Sequence, residues 1–331
     1  MKPKIILIGA GKFGKNHLRV LKELEKEGLC TFYGAVDKRK EILKNIRKTY
    51  GVKTTPDLAE FLTDIDAVDV VTPADTHFEM CQNCLSVGKH VFVEKPLATN
   101  HADAIKLVQL AAEKNRILAV GLIYRYNPAV RKIKELTSQR ELGKVYYMFG
   151  HYMGFKEPRT DVGALLNFAV HHIDIYDYLL EEIPEEVTCS VAHFLGRKNF
   201  EDFALLVLRY RNGVVGVIEG GWLPPGNYRD LAVVGSKKSV TSDMGKQTLV
   251  LHDIFMKKKN NVFKAMNKGT KNINVKFEEP LKLELRDFLE CVKTGKSPIA
   301  DGHAASRNIM IAEKALESAR LKRSVKINET K

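Results

Sequence analysis

The sequence predicts an α/β protein of two domains: a doubly wound parallel sheet over residues 1–122, then an α+β domain over 123–331 with a largely antiparallel open sheet. Three observations predict it. At 331 residues the chain exceeds the size at which a single hydrophobic core stops growing. Up to about residue 122 apolar strand-like runs alternate with helical patterns, which builds a parallel sheet covered on both faces. Beyond that point several strand-like runs follow one another without helices between them. Turn signals such as Asn212-Gly213 separate them, as in an antiparallel sheet.

The elements follow in order. Lys4 to Gly14 reads K-I-I-L-I-G-A-G-K-F-G, an apolar strand running into Gly9, Gly11 and Gly14. A helical pattern starts at once through Leu18, Val20, Leu21 and Leu24. This is the phosphate-binding corner of a dinucleotide site, with Lys12 and Phe13 inside the glycine turn. The first glycine permits the turn, the second lets backbone approach a pyrophosphate, and the third lets helix and strand pack closely. Strands are expected at 32–37, 67–72, 90–94 and 117–121, with helices at 40–50, 56–62, 76–87 and 101–114. In the second domain a helix over 127–137 leads to a strand at 144–152, a loop holding Pro158 and Gly163, and a helix over 164–180. Strands at 187–194, 203–210, 214–219 and 230–234 follow, with shorter ones at 239–241 and 248–252. Helices over 281–294 and 303–318 close the chain.

Composition narrows the class. With 44% hydrophobic and 28% charged residues, disorder is excluded as the main state. No apolar run reaches bilayer length and residues 1–10 read as a core strand, so a cytoplasmic protein with no membrane partner is expected. Five cysteines fit a reducing compartment. Cys81 and Cys84 form a CxxC inside a helix with no second pair, which marks core positions rather than a metal site. The net charge of +13 suits anionic ligands, but the basic residues are scattered and no nucleic-acid partner is expected. Lys257 to Lys271 gathers six lysines and reads as a mobile basic loop.

Candidate chemistry gathers at strand ends. Asp37 ends the second strand, 23 residues after Gly14, where a carboxylate accepts both hydroxyls of an adenosine ribose. That favours NAD, while Lys38 and Arg39 beside it leave NADP open. Thr72, Pro73 and His77 follow the strand at 67–72, where they line the cofactor cleft or, for His77, stabilise the next helix. V-F-V-E-K-P puts Glu94 and Lys95 at the crevice, with Lys95 a proton-transfer or alcohol-orienting group. Asn167, His171 and Asp174 are spaced i, i+4, i+7 and share one face of the helix over 164–180, presenting an imidazole to a hydroxyl; His172 lies about 100° round and is structural.

With these motifs in hand, G-A-G-K-F-G, T-P-A-D-T-H, E-K-P and a helix ending H-H-I-D, the chain resembles the Gfo/Idh/MocA family of NAD(P)-dependent sugar oxidoreductases over its whole length. The resemblance implies a Rossmann domain and a C-terminal sheet that forms homo-oligomers. It implies Lys95 and His171 as the catalytic pair, often with a cis Lys-Pro bond, and a sugar or nucleotide-sugar substrate. Asn167 stands where many members carry Asp, and amide cannot act as a base, so proton transfer rests on His171 or Lys95. Three stretches, at 125–130, 158–174 and 221–235, are similar to the UDP-N-acetylglucosamine 3-dehydrogenase branch. On that likeness Arg125, Arg159 and Arg229 become phosphate-binding forks. Tyr126, Asn127, Trp222 and Tyr228 become sugar or uracil contacts, and Asn167, Asp174 and Arg125 position the sugar. Glu94 and Asp37 hold the two riboses of NAD. The resemblance thus implies hydride transfer between NAD and a secondary alcohol of a sugar, the 3-hydroxyl of a UDP-N-acetylhexosamine; a free-sugar, inositol or amino-sugar dehydrogenase or reductase, and a non-catalytic NAD(P)-binding regulator, are the alternatives.

Overall fold

Four of the five residues of Lys4–Ile8 are buried, as a strand covered on both faces requires. The computed structural model describes residues 2–327. Along the chain run β1 (Lys4–Ile8), α1 (Gly14–Lys26), β2 (Thr31–Val36), α2 (Lys40–Tyr50), β3 (Lys53–Thr55), β4 (Ala67–Val70), α3 (His77–Ser86), β5 (His90–Val93), α4 (His101–Glu113) and β6 (Leu118–Val120). Next come α5 (Pro128–Ser138), β7 (Val145–Gly154) and a π-helical turn (Leu165–Ala169) that runs into α6 (Val170–Leu180). Then follow β8 (Glu186–Ala192), β9 (Phe203–Arg209), β10 (Val215–Gly221), β11 (Asn227–Gly235), β12 (Ser239–Asp243), β13 (Thr248–Lys259) and β14 (Val262–Ile273). The last elements are α7 (Pro280–Thr294), α8 (Gly302–Leu321) and β15 (Val325–Lys326).

The chain divides into two compact units: Met1–Ile123 with Glu279–Ile309, and Tyr124–Glu278 with the chain from Met310 onward. In the first, six parallel strands run in the order β3-β2-β1-β4-β5-β6. The order reverses between β1 and β4, so the crevice for a ligand lies outside the carboxyl ends of these two strands. Here α7 departs from the expectation that everything after residue 122 forms one domain. Its Leu281, Leu285, Phe288 and Leu289 join the core made by Leu18, Leu21, Leu24 and Phe92. Ion pairs from Lys282 to Glu23 and Glu27 edge that contact at 3.0 and 2.8 Å. Each large side chain buried this way stabilises by roughly 1.5–3 kcal/mol. The helical period fixes which face of α7 is apolar, not which sheet it covers. Cys81 and Cys84 are both fully buried in α3, as core positions.

In the second unit nine strands run β14-β13-β12-β11-β7-β10-β9-β8-β15, antiparallel except for β7 beside β10. α6 lies so close to this sheet that a Cβ on Gly150 would sit 2.3 Å from the His172 ring. His172 is completely buried and Nε2 donates to the Asp230 carbonyl at 2.8 Å. Burial pushes its pKa down to about 4, which keeps the ring neutral.

Two local expectations are corrected. Residues 56–62 hold only a 3₁₀ turn, Leu58–Glu60, capped by the Asp57 side chain, because so short a segment forms too few hydrogen bonds to offset the cost of nucleating an α-helix. Residues 257–271 are not a mobile loop but part of the β13–β14 hairpin, in which Lys257 faces Lys264 and Lys259 faces Val262. The turn places Asn260 and Asn261 at φ of 50° and 60°, a left-handed pair that asparagine tolerates. Lysine on an exposed edge strand also discourages pairing with further strands.

Candidate active site

The glycine turn is shaped by contact. Gly9 adopts φ +92°, and a Cβ on Gly14 would lie 2.1 Å from the Gly9 carbonyl oxygen, so only glycine lets α1 start there. No side chain caps the N-terminus of α1 at Phe13. A Cβ on Gly11 would meet only the Arg39 guanidinium, at 3.5 Å. An open backbone surface at an uncapped helix start is what a pyrophosphate needs, so these residues fit a dinucleotide.

Asp37 sits where the ribose-binding carboxylate is expected, but Arg39 already engages it. Nε reaches Oδ1 at 2.9 Å and a terminal nitrogen reaches Oδ2 at 2.7 Å, while the Ala10 N–H donates to Oδ2 at 2.9 Å. Burial pushes the Asp37 carboxyl up, but the Arg39 and Ala10 hydrogen bonds outweigh it and hold the group below its ordinary value. The Arg39 side chain is 58% exposed and stands over the glycine turn. Replacing it by alanine leaves the Asp37 carboxylate without its cation, so that it repels a 2′-phosphate and accepts ribose hydroxyls. We expect Arg39→Ala to raise the kcat/KM preference for NAD over NADP by about tenfold or more, the worth of one charge-assisted contact. An unchanged ratio in parallel assays removes Arg39 from cofactor selection.

The loops after β4 and β5 are tied together. His77 is buried, with Nε2 2.9 Å from the Thr72 carbonyl and Nδ1 2.7 Å from the Pro96 carbonyl. It therefore stabilises the crevice loops rather than lining the cleft. Thr72 Oγ1 accepts from the Thr76 hydroxyl at 2.7 Å. The Lys95–Pro96 peptide is cis. Glu94 follows β5, and one of its oxygens accepts the Lys95 N–H at 3.2 Å.

In the second unit His171 is enclosed by aromatic rings. The Tyr152 and Tyr124 centroids lie 4.8 and 5.2 Å from its own, the latter edge-on. The Arg229 guanidinium stands 5.4 Å from the Tyr152 ring. Exposed Tyr228 precedes it on β11. Asn167 does not share a regular α-helical face with His171, because it lies in the π-helical turn, whose wider winding changes the angle between them. Such turns concentrate at functional sites.

Several residues expected at the substrate turn out to hold the fold. Arg125 is 6% exposed. Its guanidinium reaches Asp174 and Asp177, each at 2.7 Å. Asp174 thus anchors Arg125 rather than a ligand. Trp222 is 1% exposed and packs edge-on against Phe168 at 4.5 Å, as core. Asn127 caps α5, accepting the Ala129 and Val130 N–H groups at 3.0 and 3.3 Å and donating to the Met244 carbonyl at 2.9 Å. Tyr126 is buried beside it. Arg159 forks onto Asp161 at 2.7 and 2.5 Å. Arg229 stands against Tyr152, a ring that also packs against His171. Sequence reasoning missed Tyr124 and Tyr152. It also missed His17 and Asp69, buried under the crevice; a histidine on the apolar face of α1 and an acid inside the apolar run Ala67–Val70 were the available signals.

Strand order, glycine turn and the polar ends of β4 and β5 define a dinucleotide-dependent oxidoreductase. The chain belongs to the Gfo/Idh/MocA oxidoreductase family: residues 4–122 match its NAD-binding Rossmann fold and residues 134–327 its C-terminal alpha/beta domain. It is 28% identical to myo-inositol 2-dehydrogenase of Thermotoga maritima, covering 98% of this chain and 99% of that one. It is 22% identical to UDP-N-acetylglucosamine 3-dehydrogenase of Acidithiobacillus ferrooxidans, covering 92% and 94%. A solved structure of levoglucosan dehydrogenase with NADH has the same fold at TM-score 0.86 and 21% identity, over 99% of this chain and 100% of that one. Among the described residues no helix is long and apolar enough to cross a membrane.

Proposed function

We propose that the protein oxidises a secondary alcohol on a polyhydroxylated ring, an inositol or a sugar, with NAD as cofactor. The observation that carries this reading is the surround of His171: a basic ring between two tyrosines, with Arg229 behind one of them. Aromatic faces and hydroxyls suit a polyol ring, and the imidazole suits a hydroxyl proton. The likeness to myo-inositol 2-dehydrogenase supports it.

The glycine turn and the start of α1 hold the pyrophosphate, and Asp37 and Glu94 the two riboses. Lys38, Thr72 and Pro73 border that site. When bound, NAD supplies the hydride acceptor. His171 takes the hydroxyl proton on a ring nitrogen as the C–H and O–H bonds break and C=O forms. Lys95 donates from Nζ to the oxygen while negative charge develops there.

A nucleotide-sugar, with oxidation at the 3-hydroxyl of a UDP-N-acetylhexosamine, is the second reading. Arg229 and Tyr228 favour it. Arg125 and Arg159 weaken it, because carboxylates already occupy their guanidinium groups. A homo-oligomer through the outer face of the nine-stranded sheet, where Tyr147 and Phe149 stack at 6.2 Å, accompanies either reading.

The test is NADH formation, followed by absorbance, against inositols, free sugars and UDP-sugars. Turnover of an inositol or free sugar is expected. Turnover of UDP-N-acetylglucosamine alone replaces this reading by the second. NADH binding with no turnover of any member leaves a cofactor-binding regulator.

A further inference from the structure

Beneath the crevice of the first unit lies a charge cluster outside the proposed proton-transfer machinery. His17, on the first turn of α1, is fully buried. Its Nδ1 lies 2.9 and 3.1 Å from the two oxygens of buried Asp69 on β4, and its Nε2 lies 3.2 Å from a Glu94 oxygen. Phe13 and Phe92 close the ring off at 5.2 and 5.9 Å. A neutral imidazole has one N–H, so beside two ionised carboxylates it would set a lone pair against one of them; the doubly protonated ring satisfies both, although burial raises the Asp69 carboxyl and works against this charge separation. Burial opposes the charge, but Asp69 and then Glu94 outweigh it, and the pKa of His17 is pushed up to about 10. A cation near the start of a helix is also disfavoured by the helix dipole, so the two carboxylates are what hold it there.

We propose that His17 is a positioning residue for the cofactor: as a buried imidazolium between Asp69 and Glu94, it fixes the Glu94 carboxylate in one orientation as a ribose acceptor. The inference rests on the reading of Glu94 as a cofactor-ribose ligand. Three contacts converge on that carboxylate. His17 holds one oxygen, the Lys95 N–H holds the other at 3.2 Å, and a Cβ on Gly121 would come within 2.8 Å of it, so only glycine leaves room. Glu94 itself keeps 14% of its side chain exposed, enough to present an oxygen to a ligand. The helix that meets the pyrophosphate and the strand end that meets the nicotinamide half are thereby joined through one buried cation. Cofactor binding at one end then requires the other end in place.

The test reads NADH binding by fluorescence, without any sugar, on His17→Asn, Glu94→Gln and the double variant. Each single variant is expected to weaken binding by about tenfold, and the double variant to be no more than about twofold worse than the weaker single one, since both remove one interaction. Losses that multiply, or wild-type affinity in folded His17→Asn, overturn the proposal. If His17→Asn does not fold, nitrogen-15 histidine NMR of the unaltered protein decides: one ring is expected to keep both protons up to about pH 9. Loss of a proton from every histidine below about pH 8 overturns it. A protein that binds NADH but oxidises no polyol fails the proposed function and leaves this inference standing.

Discussion

Lys95→Ala is expected to lower kcat by about 10²–10⁴-fold, the usual worth of a positioned proton donor or acceptor, while NADH binding stays within about threefold of the unaltered protein. The split follows from where Lys95 stands. Its backbone N–H orders Glu94 and survives the substitution, so the proposed ribose ligand is kept. The side chain beyond Cβ is lost, and in the proposed mechanism its Nζ acts on the alcohol oxygen as charge develops, an interaction stronger in the transition state than in the ground state. Steady-state kinetics and a fluorescence titration on one preparation separate the two effects. Turnover equal to the unaltered protein would end the assignment, and a parallel loss of NADH affinity would move Lys95 from chemistry to cofactor binding.

The second large effect is on stability. Arg125→Met removes the cation between two buried carboxylates, those of Asp174 and Asp177, and leaves both without it. Breaking a buried pair from one side costs roughly 3–5 kcal/mol, a large share of the stability of a domain. Burial opposes the Arg125 charge, yet the two aspartates outweigh it and raise its pKa further. Replacing all three residues together by apolar side chains of similar volume is expected to recover most of the loss, since no buried charge is then left over. Thermal unfolding of the single and triple variants checks this. A folded Arg125→Met with an unchanged Tm and a raised substrate KM would return Arg125 to the substrate site.

Much of the first unit was legible because its signals are local. An apolar strand, a glycine turn and an apolar helix face lie within Lys4 to Leu24, and only glycine tolerates the contact at Gly14. The place of Glu94 and Lys95 just after a buried strand was legible for the same reason. Arg125, Asp174 and Trp222 were misread because their residue types are shared by ligand sites and by cores. Which role applies depends on partners far along the chain: Asp174 and Asp177 for Arg125, Phe168 for Trp222. The π-helical turn was hidden because periodicity assumes a regular helix. Tyr152 was hidden because it lies on β7, whose neighbour β10 comes more than 60 residues later.

By itself the sequence determined most of the order of elements, the dinucleotide corner and the residue types able to do hydride-transfer chemistry, since each depends on neighbours within a few turns of chain. The tertiary structure decided which sheet α7 covers, that Arg229 stands against the tyrosine beside His171, and that His17, Asp69 and Glu94 form one cluster. Those outcomes turn on burial and pairing between segments distant in sequence. In a buried site a charge must find its counter-charge or be lost, so pairing rather than residue type sets the role.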